Sequence, residues 1–296
     1  MPDTVAHPHW KAAVRTQLKA AAAHTIESLS PRLFWALKIR WWRRASADFE
    51  LRVAPLLCDK RRISVDVGAA LGSFSANMCT HSASCIAFEA RPEHAGKIRE
   101  MAAATRLPIQ VESVALSDRA GFAEMRILTR DVGRSTIESA NTMEDPDGSP
   151  RTSIRVPTKR LDDYELKNVG FVKIDVEGHE LAVLHGAIET IRQSMPNLLI
   201  EIEERHRSGT VGDVSTLLTG FGYEGFFVLD GAVISLSRFD KSVHQDPANA
   251  AGWKEGWKCR GVYVNNFFFL RAGTGDVLSN AVSAVELESP QSNTGD

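Results

Sequence analysis

The chain has 296 residues, 43% hydrophobic and 24% charged, ordinary figures for a soluble globular protein with one large or two small cores. A net charge of −2 excludes a globally basic nucleic-acid binder, and no uncharged run of about 18 residues offers a membrane span. The charge is uneven, because residues 1–62 hold 12 Lys/Arg against 5 Asp/Glu, a local +7 that leaves −9 for the rest.

The first stretch, 1–60, reads as a basic helical extension. Ala-rich Lys11–Ser28 favours helix by propensity, and Pro31 is tolerated in the first turn of a second helix. That second segment, LFWALKIRWWRR at 33–44, mixes large apolar side chains with Lys38, Arg40, Arg43 and Arg44. A basic, aromatic helix suits a membrane surface. The favoured alternative packs Phe34, Trp35 and Trp41 onto the main domain and leaves the arginines in solvent.

Ile63–Val67 is a short β-branched strand followed by Gly68-Ala69-Ala70-Leu71-Gly72 and then a helix. Glycine at a strand end permits a sharp turn and close approach of a ligand. Three residues separate Gly68 from Gly72, so this is not the dinucleotide fingerprint, nor is it a phosphate loop. A second strand, Ser84–Phe88, ends in Glu89, where an acid can accept both hydroxyls of a ribose. Pro92 opens a helix with Ala95, Ile98, Met101 and Ala102 on one face. A third strand, Gln110–Val114, leads to Asp118, placed to bind an adenine amino group. Glycine, acid and acid at three successive strand ends form a nucleoside pattern.

Gly121–Leu128 and Ser153–Pro157 read as extra strands flanking a long polar loop, Thr129–Thr152. Phe171–Ile174 is a buried strand that stops at Asp175-Val176-Glu177-Gly178-His179-Glu180. From Leu181 the period becomes helical, with Leu184, Ile188 and Ile191 on the same face. A fifth strand, Leu198–Ile202, leads through Glu201 to Glu203. Val214, Leu217 and Leu218 mark a helix, and Phe226–Leu229 and Phe267–Leu270 are closing strands. Phe239–Cys259 lacks periodicity but carries Trp253 and Trp257, suited to stacking on a sugar ring. After Ala272 the chain reads as a polar tail, 273–296, without a packing face. Cys58, Cys79, Cys85 and Cys259 show no zinc or CxxC spacing and read as reduced thiols of a cytoplasmic protein. The N-terminus has no signal-peptide core.

Several motifs together resemble the FkbM family of S-adenosylmethionine-dependent methyltransferases. They are VDVGAALGSFS (65–75), FEARPEH (88–94), ALSDRAG (115–121), RSTI (134–137), LDD (161–163), KIDVEGHE (173–180), LHGA (184–187), LLIEIEERH (198–206) and YVNNFFFL (263–270). The resemblance covers about residues 60 to 272, and Ala70 departs from it where the family usually carries Asn. It implies an α/β fold over 61–272: a doubly wound, mostly parallel, seven-stranded Rossmann-like methyltransferase sheet with one antiparallel strand. Strands recurring after helical stretches support that independently. Cofactor contacts then fall to Asp66, Gly68, Gly72, Glu89 and Asp118.

Methyl transfer from a sulfonium is an in-line displacement, and an alcohol acceptor must also lose a proton. Asp175, Glu177 and His179 are the expected catalytic residues, with His206 nearby. A divalent ion, Mg or Mn, on Asp175, Glu201 and Glu203 is the alternative. The resemblance implies O-methylation of a sugar, glycolipid or secondary metabolite. No Pro-Pro-aromatic clamp for a flipped base follows the fourth strand, so the acceptor is a small molecule or glycan and not nucleic acid. The rivals are a non-catalytic membrane-associated module on the same fold and a nicotinamide-dependent dehydrogenase. The expected location is cytoplasmic, with the inner membrane face as the peripheral alternative.

Overall fold

The computed structural model describes residues 25–45, 48–129, 134–143, 150–250 and 260–288. The expectations on residues 11–24, Trp253, Trp257 and Cys259 lie outside the described residues. The strands are β1 (Ile63–Val67), β2 (Ser84–Phe88), β3 (Ile109–Glu112), β4 (Ala115–Leu116), β5 (Gly121–Leu128) and β6 (Ser135–Thr136). They continue as β7 (Arg151–Lys159), β8 (Val169–Ile174), β9 (Asn197–Glu201), β10 (Tyr223–Leu229), β11 (Ala232–Ser235) and β12 (Asn266–Arg271). The helices are α1 (Pro31–Ala45), α2 (Glu50–Val53), α3 (Ser73–Met78), α4 (Pro92–Thr105) and α5 (Glu180–His185). After these come α6 (Ile188–Ser194), α7 (Thr210–Gly220), α8 (Lys241–His244) and α9 (Gly275–Glu288).

The large sheet has the order β11-β10-β12-β9-β8-β1-β2-β3. Five neighbours, β3-β2-β1-β8-β9, run parallel, while β12 pairs antiparallel with both β9 and β10. β8 is buried at every position, as a central strand covered on both faces must be. The two faces read cleanly on β12. Phe267 and Phe269 join one core with Leu184, Ile191, Val214 and Leu218 from α5, α6 and α7, while Phe268 and Leu270 join another with Met78 of α3 and Leu278 and Val282 of α9. Alternate residues of one strand thus feed opposite layers, and the fold is doubly wound.

Eight strands stand where seven were expected. The eighth, β11, exists because Asp230 (φ +49) and Gly231 (φ +73) close a two-residue hairpin whose left-handed pair matches strand twist. A second, four-stranded sheet of order β4-β7-β5-β6 holds the inserted strands. Its apolar face, with Met125, Ile127 and Val156, packs on Ala90 just beyond β2.

Three further expectations are corrected. Residues 275–288, read as tail, form α9, whose Leu278, Ala281, Val282 and Val285 are buried. Their i, i+3, i+4, i+7 spacing is present in the sequence, and only the residues flanking the helix are uniformly polar. The helix expected to run on from Leu181 breaks into α5 and α6 at Gly186, where a Cβ would lie 2.0 Å from the Ser117 carbonyl oxygen. In α1, Trp35, Ile39 and Trp42 face inward, but Trp41 is 55% exposed. Trp41 lies six residues from Trp35, which puts it about 120° round the helix. Among the described residues no helix is long and apolar enough to cross a membrane.

Candidate active site

β1 has β2 on one side and β8 on the other, so the chain reverses its direction of travel across the sheet there. Such a switch point opens a crevice at the carboxyl ends of the strands. The Asp175 N–H donates to the Val67 carbonyl at 3.0 Å. Gly68 (φ +77) sits so close that a Cβ would lie 1.8 Å from the Asp175 carbonyl oxygen. The glycine therefore lets the two strand ends touch. Around them is a cleft of about 730 Å³, within the usual range for small-molecule sites.

The β2 side holds Glu89, 6% exposed. Its two carboxylate oxygens accept from Ala70 N at 2.7 Å and Arg91 N at 2.8 Å. Burial pushes this carboxyl up to about 7, against the pull of those N–H donors. Ala70 reaches Glu89 only by adopting φ +48, a left-handed conformation that suits Asn or Gly better. Beyond Glu89 the wall is apolar, with Val114, Ala115, Leu116 and Met125, and His94 of α4 closes it.

Two of the five expected cofactor contacts, Gly68 and Glu89, line the cleft. Asp66 is fully buried beneath it and accepts from the Ser75 hydroxyl at 2.5 Å, tying β1 to α3. Gly72 (φ +81) precedes α3, and a Cβ there would meet Met101 at 2.9 Å. Asp118 is exposed and accepts from Ser117 Oγ at 3.1 Å. After β3 the chain leaves the large sheet, and Ala115–Leu116 pairs with β7, which carries Asp118 past the cleft.

The β8 end supplies Asp175, Glu177 and His179, all on the cleft wall. Asp175 is paired with Lys173 at 2.8 Å. Burial alone would lower the Lys173 ammonium, but Asp175, Asp66 and Glu201 outweigh it and hold it above its ordinary value. Glu177 has φ +55, and its carbonyl accepts from Thr136 Oγ1 at 2.8 Å and Asn141 Nδ2 at 2.7 Å. A left-handed non-glycine residue persists only where its surroundings over-determine it. Its carboxylate lies 3.1 Å from His206 Nε2. Burial, then Asp175 and Glu203, raise Glu177 well above the usual carboxylate range, and burial pushes His206 down to about 4.

His179 is held at both ring nitrogens, by Glu138 at 3.1 Å and by Ser117 Oγ at 2.9 Å. Of the two acids at and just beyond the end of β9, Glu201 lines the cleft and accepts from Asn265 Nδ2 at 2.8 Å. Glu203 is gripped by Arg205 at 2.6 and 2.8 Å and by the Tyr263 hydroxyl. The expected metal set of Asp175, Glu201 and Glu203 is not what the fold gathers. Among the described residues, the group with ligand atoms within 4.8 Å of one another is Glu177, Glu203 and His206.

Sequence reasoning did not single out Lys173, Glu138, Ser117, His94 or Asp48, which also lines the cleft. A lysine inside the apolar run of β8 was a usable signal. Glu138 and Ser117 reach His179 from 41 and 62 residues away, and no local pattern announces them.

The chain matches the family model described as the methyltransferase FkbM domain over residues 66–224. The hexuronic acid methyltransferase AglP of Haloferax volcanii is 26% identical over 184 residues, 60% of this chain and 71% of that protein. Among solved structures, the methyltransferase FkbM of Methylobacillus flagellatus KT superposes with a TM-score of 0.44 at 16% identity. That match covers 71% of this chain and 44% of the other, so the chain spans less than half of that relative. An rRNA methylase from Streptococcus thermophilus gives a TM-score of 0.41 at 10% identity, covering 75% of this chain and 92% of its own.

Proposed function

The chain belongs to the FkbM methyltransferase family, and from that membership we propose that it transfers a methyl group from S-adenosylmethionine to a hydroxyl of a sugar, glycolipid or secondary metabolite. The observation that carries this is a single cleft with Glu89 on one side of Gly68 and Asp175 and Glu177 on the other. S-adenosylmethionine supplies a methyl on a positively charged sulfur. Glu89 fits its ribose, since an ionised carboxylate accepts two hydroxyl protons, and bare backbone at Gly68 leaves room for close approach.

The acceptor must lose its hydroxyl proton as the methyl replaces it on oxygen. Glu177 is the best-placed base. Its backbone is clamped, it lines the cleft, and burial strengthens it as a proton acceptor. Asp175, fixed by Lys173, orients the hydroxyl. His179 is engaged at both nitrogens, so it holds the 134–143 segment and Ser117 against the site. Glu203 is already engaged by Arg205 and Tyr263, which favours direct proton transfer over a Mg or Mn ion held with Glu177 and His206.

The relative from Haloferax volcanii makes a hexuronic acid the first acceptor to try. Isothermal titration should show binding of S-adenosylhomocysteine and none of NAD; the reverse result favours the dehydrogenase reading. Glu177→Gln should lower kcat and kcat/KM together by about 10²–10⁴-fold, with S-adenosylhomocysteine affinity unchanged. Activity abolished by chelation and restored by Mg or Mn would return the proton transfer to a metal.

A further inference from the structure

We propose that the outer face of α1 is a docking surface for an anionic lipid bilayer. α1 is apolar on two opposite faces. The inner one, Trp35, Ile39 and Trp42, packs with Ile98 and Met101 of α4 and accounts for the helix's place in the fold. The outer one is not needed for that packing. Leu33, Leu37 and Trp41 are 51%, 49% and 55% exposed. Steps of four keep side chains on one side of a helix. The result is a continuous ridge of large apolar groups in water.

Charge selects the occupant. The fifteen residues of α1 hold Arg32, Lys38, Arg40, Arg43 and Arg44 and no carboxylate. Arg40 and Arg44 project from the same side as the ridge, and both are exposed. Beside it runs a groove whose polar lining is Arg40, Arg43, Arg44, Thr80 and Thr105, with Ala36, Ile39 and Leu107 as its apolar part. Arg43 is tied there by Asn77 Oδ1 at 3.0 Å and the Ala76 carbonyl at 3.2 Å, so one guanidinium of the groove is preset. Phosphate headgroups match that lining, and acyl chains match the leucines. A tryptophan at the boundary suits the headgroup level of a bilayer.

Shape and symmetry disfavour the other occupants. A stable protein interface buries about 800 Å² on each side, and a ridge one side chain wide is too narrow for that. It does suit a helix lying in the bilayer surface, buried about 5–10 Å. In a twofold contact the same patch meets itself, and here it would set Arg40 and Arg44 against their own copies.

The test is co-sedimentation of the full chain with vesicles of phosphatidylcholine alone, or of phosphatidylcholine with phosphatidylglycerol, at low and high salt. The chain should bind the anionic vesicles, and high salt should release it. Each arginine near the surface is expected to contribute about fivefold, so Arg40→Gln with Arg44→Gln should weaken binding about thirtyfold. Leu37→Ser with Trp41→Ser should abolish it. Both double variants should keep the parent's melting temperature and S-adenosylhomocysteine affinity, since these side chains point away from the core. The proposal is overturned if the parent does not sediment with anionic vesicles, or binds neutral vesicles equally at any salt. It is also overturned if the variants bind like the parent. A parent dimer that Leu37→Ser with Trp41→Ser turns into a monomer would assign the face to a second copy instead.

Discussion

At the scale of single residues, Glu89 and Ala70 carry opposite lessons. Glu89 has a carboxyl pushed up to about 7 by burial, so below that pH it holds a proton and loses its capacity to accept two ribose hydroxyls. S-adenosylhomocysteine affinity is therefore expected to fall by up to about tenfold per pH unit below 7 and to stay level above it. Titration calorimetry across that range should show the slope in the parent and a flat profile in Glu89→Gln. A slope that survives the substitution would assign it to another group. Ala70 donates to Glu89 from a strained φ of +48. Left-handed backbone costs an L-residue roughly 1–2 kcal/mol, and glycine returns part of that as unfolded-chain entropy. Ala70→Gly is expected to stabilise by about 0.5–1 kcal/mol, read as a rise in melting temperature of about 1–3 °C. A fall would mean that Ala70 contributes packing that outweighs its strain.

At the scale of elements, the parallel strands and their glycine and acid tips could be read from short β-branched runs ending in characteristic residues. β1, β2 and β8 stand close to where those runs place them. What escaped were α9 and β11. α9 carries Leu278, Ala281, Val282 and Val285 at helical intervals, a pattern overshadowed by the polar residues on either side of it, and β11 depends on a single Asp-Gly turn. α9 is structural all the same, because Leu278 and Val282 close the layer over Phe268 and Leu270. Leu278→Ala should cost about 2–5 kcal/mol in chemical denaturation, as other buried leucines do. A cost within about 0.5 kcal/mol, typical of a surface site, would show α9 undocked in solution.

At the scale of the whole molecule, the carboxyl edge concentrates buried acids whose ordinary ionisation the fold opposes. Glu89 and Glu180 are both raised to about 7, chiefly by burial, and Glu177 and Glu201 are raised as well. For a raised acid the unfolded chain releases its proton first, so stability is lost as pH climbs from the ordinary carboxylate value, about 4.5, to the folded value. His206, pushed down to about 4 by burial, works the other way. The unfolded chain takes up its proton first, so that contribution is full above about 6.5 and lost as pH falls toward 4. These four raised acids outnumber the two lowered histidines, His206 and His94, so the ligand-free protein is expected to melt higher near pH 5 than near pH 8. His206→Gln should make that decline steeper, because it removes one of the two opposing slopes, the other being that of His94, which burial also lowers. Melting curves at several pH values decide it; a parent more stable near pH 8 would contradict the assignment of those acids.

The sequence by itself determined the alternation of strands and helices, the glycine between β1 and its helix, the acid after β2 and the acidic cluster after β8. All of these are local, written in residue type, period and the spacing of turn residues. Tertiary structure decided which of those residues share a cavity. Asp66 and Gly72 belong to the same motif as Gly68, yet one is buried under β1 and the other packs on Met101. Asp118 was placed by counting from β3, but pairing of β4 with β7 carries it past the cleft. The partners of His179 and Glu177 come from Ser117, Thr136, Glu138, Asn141 and His206. The same holds for Trp41 and Trp42, neighbours in sequence of which one is 55% exposed and the other 7%. Local pattern specifies a helix and its apolar residues, but which stripe meets the domain depends on the surface it packs against, and that surface exists only once the sheet has formed.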